Sequence, residues 1–257
     1  MAYIDGLSNS GKSCLIMYLK YLDESSVSKS LKLSGIYEPV ESQIIAKEIK
    51  RGNIVLDIGA HIGYYTTLFS RLVGNTGRVY AFEPCSDSFI LLKKNIRFGN
   101  YGNVFLIRKA VSNIEGTASL FLNTQNKADN RMFGNGQEVE SVEAVRLDDY
   151  FQDNLDRLDF IKMDIQGAEI KAVLGMSKLL KKHKEAKLFL EFWPFGIRQC
   201  SPNDEIDEGF GLLALLGYKA YLMDRKLKKL VRVPYINLGK LADEANSESF
   251  VNLLFKP

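Results

Sequence analysis

Short apolar runs that end in an acid alternate along the chain with longer stretches whose apolar residues recur at helical spacing. The leading case is Ile54-Val55-Leu56-Asp57-Ile58-Gly59-Ala60-His61-Ile62-Gly63. Tyr64, Tyr65, Leu68, Phe69 and Leu72 then mark one helix face until Gly74 supplies a stop. This pattern predicts a buried strand, a tight glycine turn and a helix. A second apolar run, 79–82, ends at Glu83; Phe89, Leu92 and Ile96 mark the helix after it, with Ser86 placed to cap it and Gly99 to close it. Runs at 104–107, 158–163, 187–192 and 219–223 predict further core strands, and 250–255 a last one. Helices are expected from Gln166-Gly167-Ala168-Glu169 onward and over 202–216. Strands alternating with helices in this way predict an α/β fold with a doubly wound, mostly parallel sheet.

The alternation breaks once. Strands at 118–122 and 142–147 enclose a polar stretch, 123–141, which reads as a β-hairpin-like insertion. A loop that long is usually functional or disordered. Asn130 and Arg131 are its candidates for covering a substrate, a merely mobile loop being the alternative. Upstream, Ile44, Ile45 and Ile49 mark a helix ending at Gly52, and Tyr37 and Glu38 before it either line a pocket or simply pack and cap. Residues 14–22 form a short helix-like run, the basic run 178–187 reads as a solvated helix end or else a patch for an acidic partner, and a second basic segment spans 225–232. The chain therefore divides into an extension, 1–34, and one catalytic-sized domain, 35–257.

Composition narrows the function. With 46% hydrophobic and 25% charged residues the chain is globular. A net charge of +3 is too slight to argue for a nucleic-acid partner. Cys14, Cys85 and Cys200 form neither a metal spacing nor a disulfide framework, which points to a reducing compartment. His61 and His183 are too few for a histidine metal site. No run approaches a membrane span, and the apolar stretch at 14–19 is too short for a signal-peptide core. The expectation is a cytoplasmic protein, with peripheral contact to a membrane left open and oligomeric state unread.

The chemistry sits in the acids. Asp57, Glu83 and Asp164 end successive strands, so all lie at one rim of the expected sheet, where ligands bind in such folds. Glu83 is placed to accept bonds from ribose hydroxyls, and the loop with Ala110 and Val111 to flank an adenine. Asp57 precedes the first glycine and His61 replaces the middle glycine of a dinucleotide fingerprint. An acid there repels a pyrophosphate but suits S-adenosylmethionine, which carries an ammonium and a sulfonium. The cofactor candidates are thus Asp57, Gly59, Ala60, Gly63, Glu83, Pro84, Ala110 and Val111. Trp193, the single tryptophan, either packs on a substrate at the rim or packs in the core. Gly6-Leu7-Ser8-Asn9-Ser10-Gly11-Lys12-Ser13 fits a phosphate-binding loop, but only five residues precede it, so a P-loop nucleotide-binding protein is a rival reading. A nicotinamide oxidoreductase and a non-catalytic binding module are the others.

Together these segments resemble the FkbM family of S-adenosylmethionine-dependent methyltransferases. The resemblance rests on 55–66, on Ala81-Phe82-Glu83-Pro84, on Lys109-Ala110-Val111-Ser112, on 160–169 and on Glu191-Phe192-Trp193-Pro194. It implies a class I, Rossmann-like sheet of seven strands with one reversed strand at its edge. It also implies O-methylation of a hydroxyl on a sugar, glycan or natural-product acceptor. His61 stands where the family commonly has Asn, and Gln166 where it commonly has Glu. For the base that takes the acceptor's proton the candidates, in order, are Asp164, Glu191 and His61. Asp164 with Glu191 is also a candidate pair for a magnesium ion, although no third ligand is evident.

Overall fold

The computed structural model describes residues 2–6, 13–17, 26–123, 130–134, 138–235, 238 and 250–257. In chain order it holds β1 (Ala2–Gly6), β2 (Ser13–Met17), α1 (Ser26–Ser34), α2 (Pro39–Glu48), β3 (Ile54–Ile58), α3 (Tyr64–Val73), β4 (Arg78–Phe82) and α4 (Ser86–Phe98). There follow β5 (Val104–Ile107), β6 (Ala110–Val111), β7 (Gly116–Phe121), β8 (Val139–Val145), α5 (Leu147–Phe151), β9 (Phe160–Met163), α6 (Glu169–Leu174) and α7 (Ser177–Lys182). The chain ends with β10 (Lys187–Phe192), α8 (Pro194–Cys200), α9 (Asn203–Leu215), β11 (Lys219–Asp224), β12 (Lys229–Val233) and β13 (Val251–Lys256).

Eight strands form the main sheet in the order β12-β11-β13-β10-β9-β3-β4-β5. From β5 to β10 neighbours are parallel. The doubly wound, Rossmann-like class expected from the sequence is therefore present, with two differences. The reversed strand β13 lies between β10 and β11 and not at the edge. The edge is β12, an eighth strand that pairs antiparallel with β11. It comes from the basic stretch 225–232, and its largely exposed side chains left no apolar alternation to read.

The insertion is a separate three-stranded sheet, β6-β8-β7, in which β7 and β8 form the expected antiparallel hairpin. Beyond β7, Arg131 forms a two-bond antiparallel bridge with Phe121 and so folds part of the long loop back onto the hairpin.

Other expectations need correction. Ser86 is the first residue of α4, not its cap; Cys85 holds that position without a side-chain cap bond, and the Ser86 N–H donates instead to the Glu140 carboxylate. Gln166 and Gly167 form a turn, and the helix begins at Glu169. Residues 13–17 form a strand paired antiparallel with residues 2–6, and not the start of the helix that a P-loop places after its lysine. Residues 7–12 of that motif lie outside the described residues. The helices α1, α5 and α8 were not foreseen.

Apolar clusters cover both faces of the sheet. On one face α5, α6, α7 and α9 pack on Leu56, Ile58, Ile161, Met163, Leu188 and Leu190. On the other, α1, α2 and α3 pack on Val55, Phe160 and Phe189, with Val27, Leu31, Ile45 and Phe69 at the centre. Residues of the expected extension 1–34 thus belong to the core. Alternation along each strand sends Asp57, Lys162 and Glu191 toward the α2–α3 face.

Candidate active site

A cavity of about 690 Å³ opens at the carboxyl ends of β3, β4, β9 and β10. The glycine turn shapes one wall. Gly59 has φ +80°, and a Cβ there would lie 1.9 Å from the Asp164 carbonyl oxygen, so the turn packs directly on the next loop. The N–H groups of Gly59 and Ala60 both donate to the Phe82 carbonyl, each at 3.0 Å, which pins the turn to the end of β4. Gly59, Ala60, His61, Glu83, Pro84, Ala110 and Val111 all line the cavity. Asp57 and Gly63 are not among its lining residues. Gly63 (φ +92°) begins α3, where Leu92 would be 2.6 Å from an added Cβ.

Asp57 acts from behind the wall. It is fully buried, and its Oδ2 accepts a bond from Thr66 Oγ1 at 2.5 Å. Directly across the β3–β9 ladder stands Lys162, also buried, whose Nζ lies 3.9 Å from Asp57 Oδ1 and 3.5 Å from Asp164 Oδ2. Nζ also donates to the Gly59 carbonyl at 3.3 Å and sits 5.2 Å from the centre of the Tyr65 ring. Burial raises Asp57, and the nearby ammonium and the Thr66 bond oppose it. For Lys162 burial favours the neutral amine, but the surrounding Asp164, Asp57, Glu38 and Glu191 outweigh it and raise the ammonium.

Glu83 points its carboxylate at the turn. Oε2 accepts the His61 N–H at 2.8 Å and Oε1 the Cys85 N–H at 2.9 Å. Burial pushes it up to about 7, with those two bonds pulling the other way. A carboxylate oxygen has two lone pairs, so each can still accept a ligand hydroxyl.

The floor is acidic. Gln166 Nε2 donates to Asp164 Oδ1 at 2.7 Å and to Glu191 Oε2 at 3.0 Å, so one amide holds the two carboxylates together. Burial, then the neighbouring Asp164, raises Glu191 well above the carboxylate range. Glu38 faces them from α2's entrance; its Oε2 accepts from Tyr65 OH at 2.8 Å. Beneath the turn, Glu169 accepts the N–H groups of Ile165 and Gly167 and is itself raised, chiefly by burial, to about 7.

The rim carries Arg131, Trp193, Arg225 and Phe250. The Arg131 guanidinium lies 4.4 Å from the centre of the Trp193 ring, and that of Arg225 5.1 Å from the Phe250 ring. Asn130 and Arg131 do reach the cavity, as do Tyr37 and Glu38. The structure thus gathers Asp164, Glu191, His61 and six of the eight cofactor candidates around one space. Sequence reasoning missed Lys162 and the tie made by Gln166. The signal was present, since a lysine in an otherwise apolar run is unusual in a buried parallel strand.

The residues do not fit a magnesium site. The Gln166 amide bonds both carboxylates and the Lys162 ammonium lies beside Asp164. Among the described residues no three His, Cys, Asp or Glu side chains gather to hold a metal.

A parallel sheet whose glycine turn and strand-end acids frame one cavity defines the class I methyltransferase fold. The chain belongs to the FkbM methyltransferase family: the profile of the methyltransferase FkbM domain matches residues 57–219. It is similar to methyltransferase sdnD of Sordaria araneosa, 26% identical over 222 residues, covering 67% of this chain and 83% of that protein. A probable cobalt-precorrin-6B C(15)-methyltransferase (decarboxylating) of Saccharolobus solfataricus is 36% identical over 104 residues, 39% of this chain and 49% of that protein. The chain thus matches about half the length of that archaeal relative. Among solved structures, the methyltransferase FkbM of Methylobacillus flagellatus aligns with a TM-score of 0.48 at 16% identity, covering 82% of this chain and 44% of that one. No helix among the described residues is long and apolar enough to cross a membrane.

Proposed function

We propose that the protein transfers a methyl group from S-adenosylmethionine to a hydroxyl of a sugar, glycan or natural-product acceptor. One observation carries the reading: Glu83 and the Gly59–His61 turn share a single cavity with the Asp164–Gln166–Glu191 couple. The first group suits a nucleoside and the second a hydroxyl that must lose a proton. The cofactor supplies a methyl group already activated on a sulfonium.

The chain's own residues have three tasks. Glu83 offers lone pairs to the ribose hydroxyls, held in place by the His61 and Cys85 N–H groups. Ala110 and Val111 supply apolar walls for the adenine, beside Pro84. Asp57 and Gly63 act indirectly, Asp57 by fixing Lys162 and Gly63 by starting α3. For proton removal Asp164 is the acceptor of the couple, because burial drives Glu191 toward its protonated form. His61 lines the Glu83 side and serves positioning.

Titration calorimetry with S-adenosylhomocysteine tests the reading. Wild type is expected to bind, and Glu83→Ala to bind at least about tenfold more weakly, since a hydrogen bond to a charged group contributes roughly 1.5–3 kcal/mol. Circular dichroism checks that the variant is folded. Failure of folded wild type to bind would overturn the cofactor. Release of S-adenosylhomocysteine across a panel of hydroxylated acceptors then tests O-methylation, and activity confined to carbon or nitrogen acceptors would overturn that part.

A further inference from the structure

The cavity floor gathers more carboxylates than the buried ammonium among them balances. Asp164, Glu191 and Glu38 all act on Lys162, and Lys162 also serves Asp57 behind the wall. Of the rim cations, Arg225 bonds Glu41 through Nε and reaches Glu38 only at 4.0 Å, Lys109 pairs with Glu143, and Arg131 lies over the Trp193 ring. The three floor carboxylates differ in how they are held. Asp164 and Glu191 are tied to each other through Gln166. Glu38 stands apart. Its Oε2 takes the Tyr65 hydroxyl, and Arg225 Nη2 is 4.0 Å from its Oε1. Its side chain is 19% exposed, which leaves a path for a proton to solvent. Its backbone is held at φ 46°, ahead of Pro39, in the left-handed region.

We propose that Glu38 is the charge-compensating residue of this cavity. It carries a proton while the cavity holds a neutral ligand and releases it to solvent when a permanently cationic ligand enters. The site thereby favours a sulfonium cofactor over the neutral thioether product, which limits product inhibition. This inference rests on the S-adenosylmethionine reading. The groups acting on Glu38 come from every element around it. They are Glu41 on its own helix, Tyr65 on α3, Lys162 and Asp164 at the end of β9, Glu191 on β10 and Arg225 after β11. Burial is the largest influence, Asp164 adds to it, and the Tyr65 bond and Lys162 oppose; the balance puts Glu38 at about 7. A cation entering the cavity lowers such a carboxyl by about one unit or more.

The two ligands themselves supply the test, because they share every group except the charged methyl-sulfonium. Each is titrated by calorimetry, with no acceptor present, in two buffers of different ionisation enthalpy at pH 5.5 and 7. S-adenosylmethionine is expected to release about 0.4 proton more than S-adenosylhomocysteine at pH 7 for a one-unit drop. On the same basis its affinity relative to the thioether rises about fourfold from pH 5.5 to 7. Glu38→Gln should abolish both the excess proton and the slope. Tyr65→Phe removes a bond that lowers Glu38 and should carry the slope to higher pH, which keeps the idea testable if the glutamine variant does not fold. Equal proton release by the two ligands, or an excess that survives in Glu38→Gln, overturns the inference while leaving the cofactor intact. If neither ligand binds wild type, the cofactor reading falls and this inference with it.

Discussion

Three residues that line the cavity hold the left-handed backbone region without being glycine: Glu38, His61 and Gln166, at φ 46°, 49° and 53°. Such positions cost roughly 1–3 kcal/mol each and collect at functional sites. His61 and Gln166 are also where the sequence departs from its family's usual residues. The first departure is mild, because Asn and His both tolerate this region better than most residues. The second changes the chemistry: an amide at 166 donates to two carboxylates, which a glutamate there cannot do while ionised. Buried acids then set a pH dependence. Glu83 and Glu169 are raised from 4.5 to about 7, chiefly by burial. A raised folded-state value means that their contribution is full below about 4.5 and is lost as pH rises through 7. Glu48 has the opposite sign. Burial raises it, but Lys187 and Lys256 outweigh that and hold it low, so its contribution is lost in acid. The unliganded protein is therefore expected to unfold at a lower temperature at pH 8 than at pH 6. Gln166→Glu should steepen that fall by adding a third carboxylate to the couple. Thermal denaturation across this range decides it, and a variant whose midpoint tracks wild type would remove the amide tie from the account.

At the scale of elements, the strands that carry the site were legible because burial on both faces writes them as continuous apolar runs. Their register was not. Nothing in the sequence pairs Asp57 with Lys162, 105 positions later, yet the β3–β9 ladder sets them opposite each other. The hairpin insertion was legible from its alternation, but its relation to Trp193 was not, since a loop carries no period. Arg131 makes that relation. Its backbone bridges to Phe121 and its guanidinium covers the indole at 4.4 Å, with Phe133 6.0 Å from the same ring. Trp193 is the only tryptophan of the chain and is 8% exposed, so the fluorescence reports the surroundings of this one indole. Arg131→Ala should shift the emission to longer wavelength and raise quenching by acrylamide. The cost in global stability should stay near or below about 1 kcal/mol, the worth of a cation–π contact at a partly exposed site. An emission spectrum that does not move would show that this segment leaves the indole uncovered in solution.

For the whole molecule, the two faces of the sheet divide the labour. The face packed by α5, α6, α7 and α9 is apolar from edge to centre. The opposite face, under α1, α2 and α3, is apolar only until it reaches the carboxyl ends of the strands, where Asp57, Lys162 and Glu191 take over. The helices of this second face therefore both complete the core and form a wall of the site. Side chains from before the boundary expected after residue 34 join this core. The segment before that boundary looked polar, and α1 offers just two deeply buried apolar side chains, Val27 at 6% and Leu31 at 1% exposure, too few to give a periodic signal. Val27 also lines the cavity. The family match begins only at residue 57, so this helix lies outside the shared segment and yet belongs to the same core. Leu31→Ala should accordingly cost about 2–5 kcal/mol, the range for truncating a buried leucine. For a protein of this size each kcal/mol lowers the melting temperature by about 2–4 °C, so a fall on the order of 10 °C is expected. Leu33→Ala, on the same helix at 88% exposure, is the control and should change nothing measurable. Equal melting temperatures for the two variants would mean that α1 is an appendage, and would return the start of the domain to residue 35. A fall confined to Leu31→Ala would make α1 part of the domain, with the second face of the sheet incomplete without it.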